Sequence, residues 1–312
     1  MLNTRTQARP ATPLRQRQGW LQADDGAPLG SHAWPLRPDW QAVLHHVLAL
    51  GPIRVRSGDG LCQLEARTRR PRPAAAATAP STRTVVGLRT DTSTWACGMA
   101  TQGRLADGQV RRGFSFFDSQ GRAVLALDLD AGASPDDLQR IVRQHAGGTA
   151  MSTDDDADGP GASRALPANR PIGALLAPHW DDGLAVPLAS DAILDVLRDV
   201  GNTRLPLWAR FCHLGVQFDW RGPLHQLTWH DGTAQVGALD FSLRWREAQP
   251  GLQTWLLRTP TSVGLQQSLA LVAPDGTVRL QLAPDSPSTK PQPCAWRTAI
   301  QAACDTQIGS AC

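Results

Sequence analysis

DWQAVLHHVLALGPIRVRSGDGLCQL at residues 39–64 and DAILDVLRDVGNTRLPLWARFCHLGVQF at residues 191–218 are two tellings of one pattern. In each, apolar residues recur at helical spacing, a glycine (Gly51, Gly201) marks the stop, and two short apolar runs come next. A second pair lies further along. Thr94-Trp95 leads to FSFFDSQGRAVLALDL (114–129), and Thr254-Trp255 leads to LALVAPDGTVRLQL (269–282). The first pair is offset by about 150 residues and the second by 155 to 160. One supersecondary unit is therefore present twice. Two stacked copies create a seam, and seams are places where ligands sit.

Working outward, the helix of the first copy is expected over 38–50 with Asp39 as its cap. Alternation predicts strands at 85–91, 94–101, 110–117 and 122–129, and FFDSQGRAV and VAPDGTVRL each read as a hairpin around a glycine turn. A helix is expected at 134–145, with Ser134 as cap, Pro135 in the first turn and Asp136 and Asp137 at the positive end of the dipole. The second half repeats the order. A helix is expected at 190–200, then strands near 205–211, 213–220, 224–231, 234–244, 253–259, 266–273 and 276–283, and a closing helix near 293–304. Strand runs followed by a helix predict an α+β chain, internally duplicated, with a largely antiparallel sheet covered on one face. The expected boundaries are an N-terminal extension at 1–35, a first repeat at 36–150, a linker at 151–171 rich in Asp, Gly and Pro, and a second repeat at 172–312.

Composition narrows the class. With 312 residues, 41% hydrophobic and 19% charged, the chain is long enough for two globular units. A net charge of +3 does not argue for nucleic acid. No run of 18 apolar residues suggests a membrane-spanning helix, and the basic N-terminus lacks the apolar stretch of a secretion signal. Six cysteines are scattered without a close pair, so neither zinc nor a disulfide framework is indicated; Cys62 and Cys212 read as buried reduced thiols. These features point to the cytoplasm. Lys290 is the only lysine among 31 basic residues, a bias that base composition explains; functionally, arginine is the better residue for clamping carboxylates with its planar fork.

Five segments carry a family resemblance: LRPDWQAVLHHVLALG (36–51), GLRTDTSTWACGM (87–99), SFFDSQGRAVLALDL (115–129), WLLRTPTSVGLQQSLALVAPDGTVRLQL (255–282) and AWRTAI (295–300). In these the chain resembles the HemS/HmuS-type haem-degrading and haem-trafficking factors of bacterial haem-uptake operons. The resemblance implies an α+β, internally duplicated fold of two large antiparallel β-sheets with flanking helices, packed against each other, which holds haem in a cleft between a sheet and the helices after it. It implies a haem-binding protein of iron acquisition, carrying or degrading haemin, with an external reductase supplying electrons to an active member. The alternative reading is a non-catalytic relic of that scaffold, kept for binding or interaction. Neither nucleic acid nor membrane insertion is implied.

By the same resemblance Arg89 takes the position of a distal-side arginine, which would donate to oxygen or water on the iron. Arg258 matches the arginine before the Pro-Thr-Ser turn, and Arg244 is a further candidate for ligand carboxylates. The family's iron-ligating histidine falls in 154–171, where this chain has none, and the nearest is His179. His179 is either a displaced ligand to the haem iron or a loop histidine. Other readings stay open too. Arg89 and Asp91 share a strand face, so a structural ion pair competes with a ligand role. Arg244 and Arg246 flank Trp245 as a solvated face, and Trp95 and Trp255 read as core.

Overall fold

The computed structural model describes residues 29–68, 85–105, 108–130, 132–147, 184–238, 240–246, 252–287 and 289–310. The expected linker at 151–171 and His179 lie outside the described residues. The first half contains β1 (Leu29–Leu36), α1 (Trp40–Ala49), β2 (Ile53–Gly58), β3 (Cys62–Arg67), β4 (Val85–Thr90), β5 (Trp95–Arg104), β6 (Val110–Asp118), β7 (Ala123–Leu129) and α2 (Pro135–His145). The second half contains β8 (Ala185–Leu188), α3 (Ala192–Gly201), β9 (Pro206–His213), β10 (Val216–Pro223), β11 (Gln226–His230), β12 (Thr233–Ala238), β13 (Phe241–Arg246), β14 (Gln253–Thr261), β15 (Gly264–Val272), β16 (Val278–Pro284) and α4 (Cys294–Ser310).

All pairings between these strands are antiparallel, in two sheets. The first sheet runs β1-β5-β6-β7-β2-β3-β13-β12-β11, and the second runs β4-β10-β9-β16-β15-β14-β8. The duplication is visible in these orders. β1-β5-β6-β7-β2-β3 has the same connectivity as β8-β14-β15-β16-β9-β10 read from the opposite edge. The remaining strands of each sheet are exchanged between the halves. β4 leaves the first half to pair with β10, and β11–β13 leave the second half to extend the first sheet from β3. The exchange ties the halves together, and Trp220 on β10 stacks on Phe241 of β13 at 4.5 Å and 14°.

Each sheet is apolar on the face its helices cover. Trp40, Val43, Leu44 and Val47 of α1 are buried, and Asp39 caps the helix by accepting from the Ala42 N–H at 3.4 Å. β5 passes close beneath α1 at Gly98, where an added Cβ would stand 2.7 Å from Trp40 and 3.0 Å from Phe116. The α2 cap is as expected, with Ser134 accepting from the Asp136 N–H at 3.2 Å. On the second sheet α3 buries Ile193, Leu194, Val196, Leu197 and Val200. α4 anchors through Trp296, whose indole donates to the Gln267 carbonyl at 3.2 Å.

Gly201 is the last residue of α3, so the helix stops there as expected, and the chain reverses at Arg204 (φ 51°). Two local expectations are corrected. The sheet begins at Leu29 rather than after residue 35, because β1 pairs along β5 despite its Pro35. The run 234–244 is two strands, β12 and β13, with a turn between them. Of the tryptophans singled out, Trp95 is core, whereas Trp255 is only half-buried and joins a small cluster with Leu257, Ala270 and Val272.

Candidate functional site: the outer face at strand β4

Arg89 stands on β4, the edge strand of the second sheet. Its neighbour Leu88 turns inward against the core, so alternation turns Arg89 outward, where it is exposed. Residues directly opposite in an antiparallel ladder share a face. Arg89 is opposite Gln217, and Gln217 is opposite Cys212, so these three form one outward row. The next row is Gly87, Asp219, Arg210 and Gln281.

The carboxylate nearest this face is already used. Arg210 clamps Asp219 with two hydrogen bonds, at 2.7 and 3.3 Å, and the Gln217 amide donates to the same carboxylate at 3.0 Å. The Arg210 guanidinium also lies over the Trp208 ring at 4.8 Å. Asp91, the other expected partner, accepts from the Ser93 N–H at 3.1 Å and caps a short 3-10 turn. Among the described residues Arg89 therefore makes no hydrogen bond or ion pair through its side chain. Of the two readings, the Arg89–Asp91 ion pair is absent, and among the described residues nothing occupies the arginine fork. Cys212 is no nucleophile: burial pushes its thiol up to about 11, leaving it protonated at neutral pH.

The other candidates are placed elsewhere. Arg258 is on β14, five strands from β4 in the same sheet, or about 24 Å along it. It also lies on the opposite face. The inward row Leu88, Phe218, Phe211 and Leu280 continues through Leu271 to Thr254, and Arg258 shares that face by alternation. Arg244 is on β13 of the first sheet, and Arg244 and Arg246 are exposed on either side of buried Trp245. The structure therefore does not bring Arg89, Arg258 and Arg244 into one site. A short motif placed each arginine on its strand, but partner strands were chosen by the exchange between sheets.

Of the described histidines, His32, His45, His225 and His230 are exposed, and His46 is half-buried. His46 Nδ1 lies 2.8 Å from Nε2 of buried His145, pinning α1 to α2. His213 is 3% exposed at the end of β9 and sits where the two halves meet. Its Nε2 donates to the Ala123 carbonyl of the first half at 3.4 Å, and its Nδ1 accepts from Arg279 at 3.1 Å. Arg279 reaches Asp59 of the first half at 3.5 Å and Asp275 at 3.7 Å. Sequence reasoning missed this cluster, because His213 is more than 60 residues from Arg279 and further still from Asp59.

Burial first, with Arg279 adding to it, pushes the His213 imidazole from 6.5 down to about 4, against the pull of Asp59. The folded protein resists a proton that the unfolded chain accepts. The stability His213 provides is complete above pH 6.5 and is lost as pH falls toward its folded value. Urea midpoints measured between these values are expected to fall with pH, and the fall is expected to shrink in His213→Gln. An acid profile unchanged by that substitution would contradict the assignment.

No protein-family model and no curated protein sequence matches the chain. Solved structures do match its fold. It is similar to apo-PhuS, a haem-binding protein from Pseudomonas aeruginosa, at 20% identity and a TM-score of 0.65 over 93% of this chain and 89% of that one. It is similar to holo-PhuS at 20% identity and a TM-score of 0.67, with the same coverage of 93% and 89%. It is also similar to ChuS, a haem-degrading enzyme of Escherichia coli O157:H7, at 20% identity and a TM-score of 0.68 over 94% of this chain and 95% of that one. The chain thus has the whole duplicated fold of these proteins. Among the described residues, no helix is long and apolar enough to cross a membrane.

Proposed function

We propose that the chain is a cytoplasmic haem-binding protein of bacterial haem uptake and iron acquisition, with Arg89 on the distal side of the bound haem. The observation that carries this reading is an open arginine fork at the family's distal position, on a fold shared end to end with haem-binding and haem-degrading proteins. A guanidinium held beside carboxylates that are already satisfied is a ready donor to an anion or to water.

The residues fit haem unequally. Arg89 and Gln217 offer donors to a polar group, and Trp208 offers an aromatic surface two rows away. His213 lies in the row next to Arg89, with Val216 and Thr90, but on the inward face, and both it and buried His145 have ring nitrogens already engaged. His179, outside the described residues, is the proposed iron ligand, with a loop histidine as the alternative, and no degradative step is derived. An external reductase enters only for a chain that degrades haem. The missing histidine at 154–171 favours carrying over degradation, and in the extreme favours a relic that binds no haem.

The test is titration of the purified chain with haemin, followed at the Soret band. Wild type is expected to saturate, and Arg89→Ala to bind about tenfold more weakly, the loss of one charge-assisted hydrogen bond of about 1.5 kcal/mol. Loss on Arg258→Ala with none on Arg89→Ala would move the site to the opposite face. No saturable binding by wild type would leave the relic reading.

A further inference from the structure

The buried cluster at the seam has an arrangement that its structural role alone does not require. Arg279 is held between three acceptors: His213 Nδ1 at 3.1 Å, Asp59 at 3.5 Å and Asp275 at 3.7 Å. Asp59 is in turn 3.8 Å from His213 Nδ1. His213 is 3% exposed and the Arg279 side chain 12%, so any charge placed here is poorly screened. One further charged group faces the imidazole, and a thiol lies beside Asp59. Arg122, on the turn between β6 and β7, is held by Asp118 at 2.7 Å. The Cys62 thiol on β3 is pushed up by burial and by Asp59 and stays neutral.

A proton on His213 Nδ1 would turn the acceptor facing Arg279 into a donor, setting donor against donor and cation against cation. Both conflicts have a ready resolution. Asp59 can accept from the imidazolium, and Arg279 can move onto Asp275. The cluster therefore has two alternative sets of partners, and one proton selects between them.

The exchange is wired to the Arg89 face by covalent chain and hydrogen bonds. His213 is followed by the tight turn Leu214–Gly215, with φ of 42° and 81°. The Gly215 carbonyl accepts from the Asp91 N–H at 2.7 Å. The backbones are so close there that a Cβ on Gly215 would lie 2.5 Å from the Asp91 carbonyl oxygen. The chain then pairs Val216 with Thr90 and Gln217 with Arg89. A shift at His213 moves the turn on which the end of β4 rests.

We propose that protonation of His213 drives an exchange of partners among His213, Arg279, Asp59 and Asp275 that regulates ligand holding at the Arg89 face. The regulatory half rests on the reading of that face as the haem site. Two measurements separate the failure of one from the failure of the other. The first needs no ligand: the Asp91 and Gly215 amide resonances of the apo chain, followed by TROSY NMR from about pH 7.5 to about pH 3, a range that crosses the folded His213 value of about 4. They are expected to shift along one titration curve in wild type and to lose that transition in His213→Gln. Amides that do not titrate, or that titrate equally in both proteins, overturn the exchange. In case His213→Gln fails to fold, Asp59→Asn removes the negative charge that favours the imidazolium and is expected to move the transition to lower pH; an unmoved transition overturns the exchange as well.

The second measurement is the rate of haem transfer to excess apomyoglobin at about pH 7.5 and about pH 4.5, where a group of value about 4 begins to take up its proton. Release is expected to quicken at the lower pH in wild type, and to lose that dependence in His213→Gln. A pH dependence that survives the substitution overturns the coupling to Arg89. A wild-type chain that takes up no haemin refutes the haem reading and with it the coupling, while the amide titration still decides the exchange.

Discussion

Replacing Trp220 with alanine is expected to cost about 3–5 kcal/mol of unfolding free energy, the range for deleting a fully buried aromatic side chain. Trp220 is 0% exposed, and its ring stacks on Phe241 at 4.5 Å. The two rings belong to different sheets, so the substitution opens a cavity where the exchanged strands join the halves. The pair itself is worth about 0.5–1.5 kcal/mol beyond its buried area. Trp220→Phe separates packing from polarity. It keeps a ring in the stack and removes an indole N–H that has no acceptor among the described residues. Its loss is expected to stay below about 1.5 kcal/mol. Urea unfolding of the three proteins checks this; equal losses for alanine and phenylalanine would show that the stack does not join the sheets.

Removing Arg279 is the second large effect. Arg279→Met keeps most of the stem volume but leaves Asp59 without its buried cation and His213 Nδ1 without a donor. Breaking a buried charge pair costs about 3–5 kcal/mol. Asp59 is 32% exposed, so water recovers part of this, and about 2–3 kcal/mol is expected. A second signature accompanies the loss. Arg279 is one of the causes holding the His213 imidazole down, so without it His213 takes up a proton at higher pH. The acid-sensitive window, measured as urea midpoint against pH, should narrow toward 6.5 from below. A stable Arg279→Met protein with an unchanged window would contradict the described cluster.

These effects arise at a seam that the sequence only half reveals. The repeat was legible because apolar spacing records which face of an element is buried, and the two halves use the same faces in the same order. The caps at Asp39 and Ser134 were legible because a cap is decided within four residues. Strand partners were not, since alternation names a face and is silent about the neighbour. The passage of β4 into the second sheet and of β11–β13 into the first therefore had no signature in the chain. β1 and β8 escaped notice for a related reason. Both lie at sheet edges and carry a proline, Pro35 and Pro187, and neither shows a clean alternation.

The site was legible in the same proportion. Arg89 was recognisable from its own short motif, and its outward placement is a consequence of strand alternation. That its fork is open was not recognisable. It depends on Arg210 and Gln217 occupying Asp219, and on Asp91 turning to cap the next turn. Grouping Arg258 and Arg244 with it failed because motif order along the chain says nothing of which face of which sheet receives each residue. His213, Arg279 and Asp59 were invisible as a set, being assembled only by the seam.

If this duplicated, strand-exchanged fold holds haem at the face carrying Arg89, the chain should come out of the cell coloured. The most direct test is the haem content of the chain purified from cells supplied with haem. About one haem per chain, with a Soret band that is depleted in Arg89→Ala, is the expected result. A colourless protein that stays colourless when haemin is added, while folding normally, would contradict it.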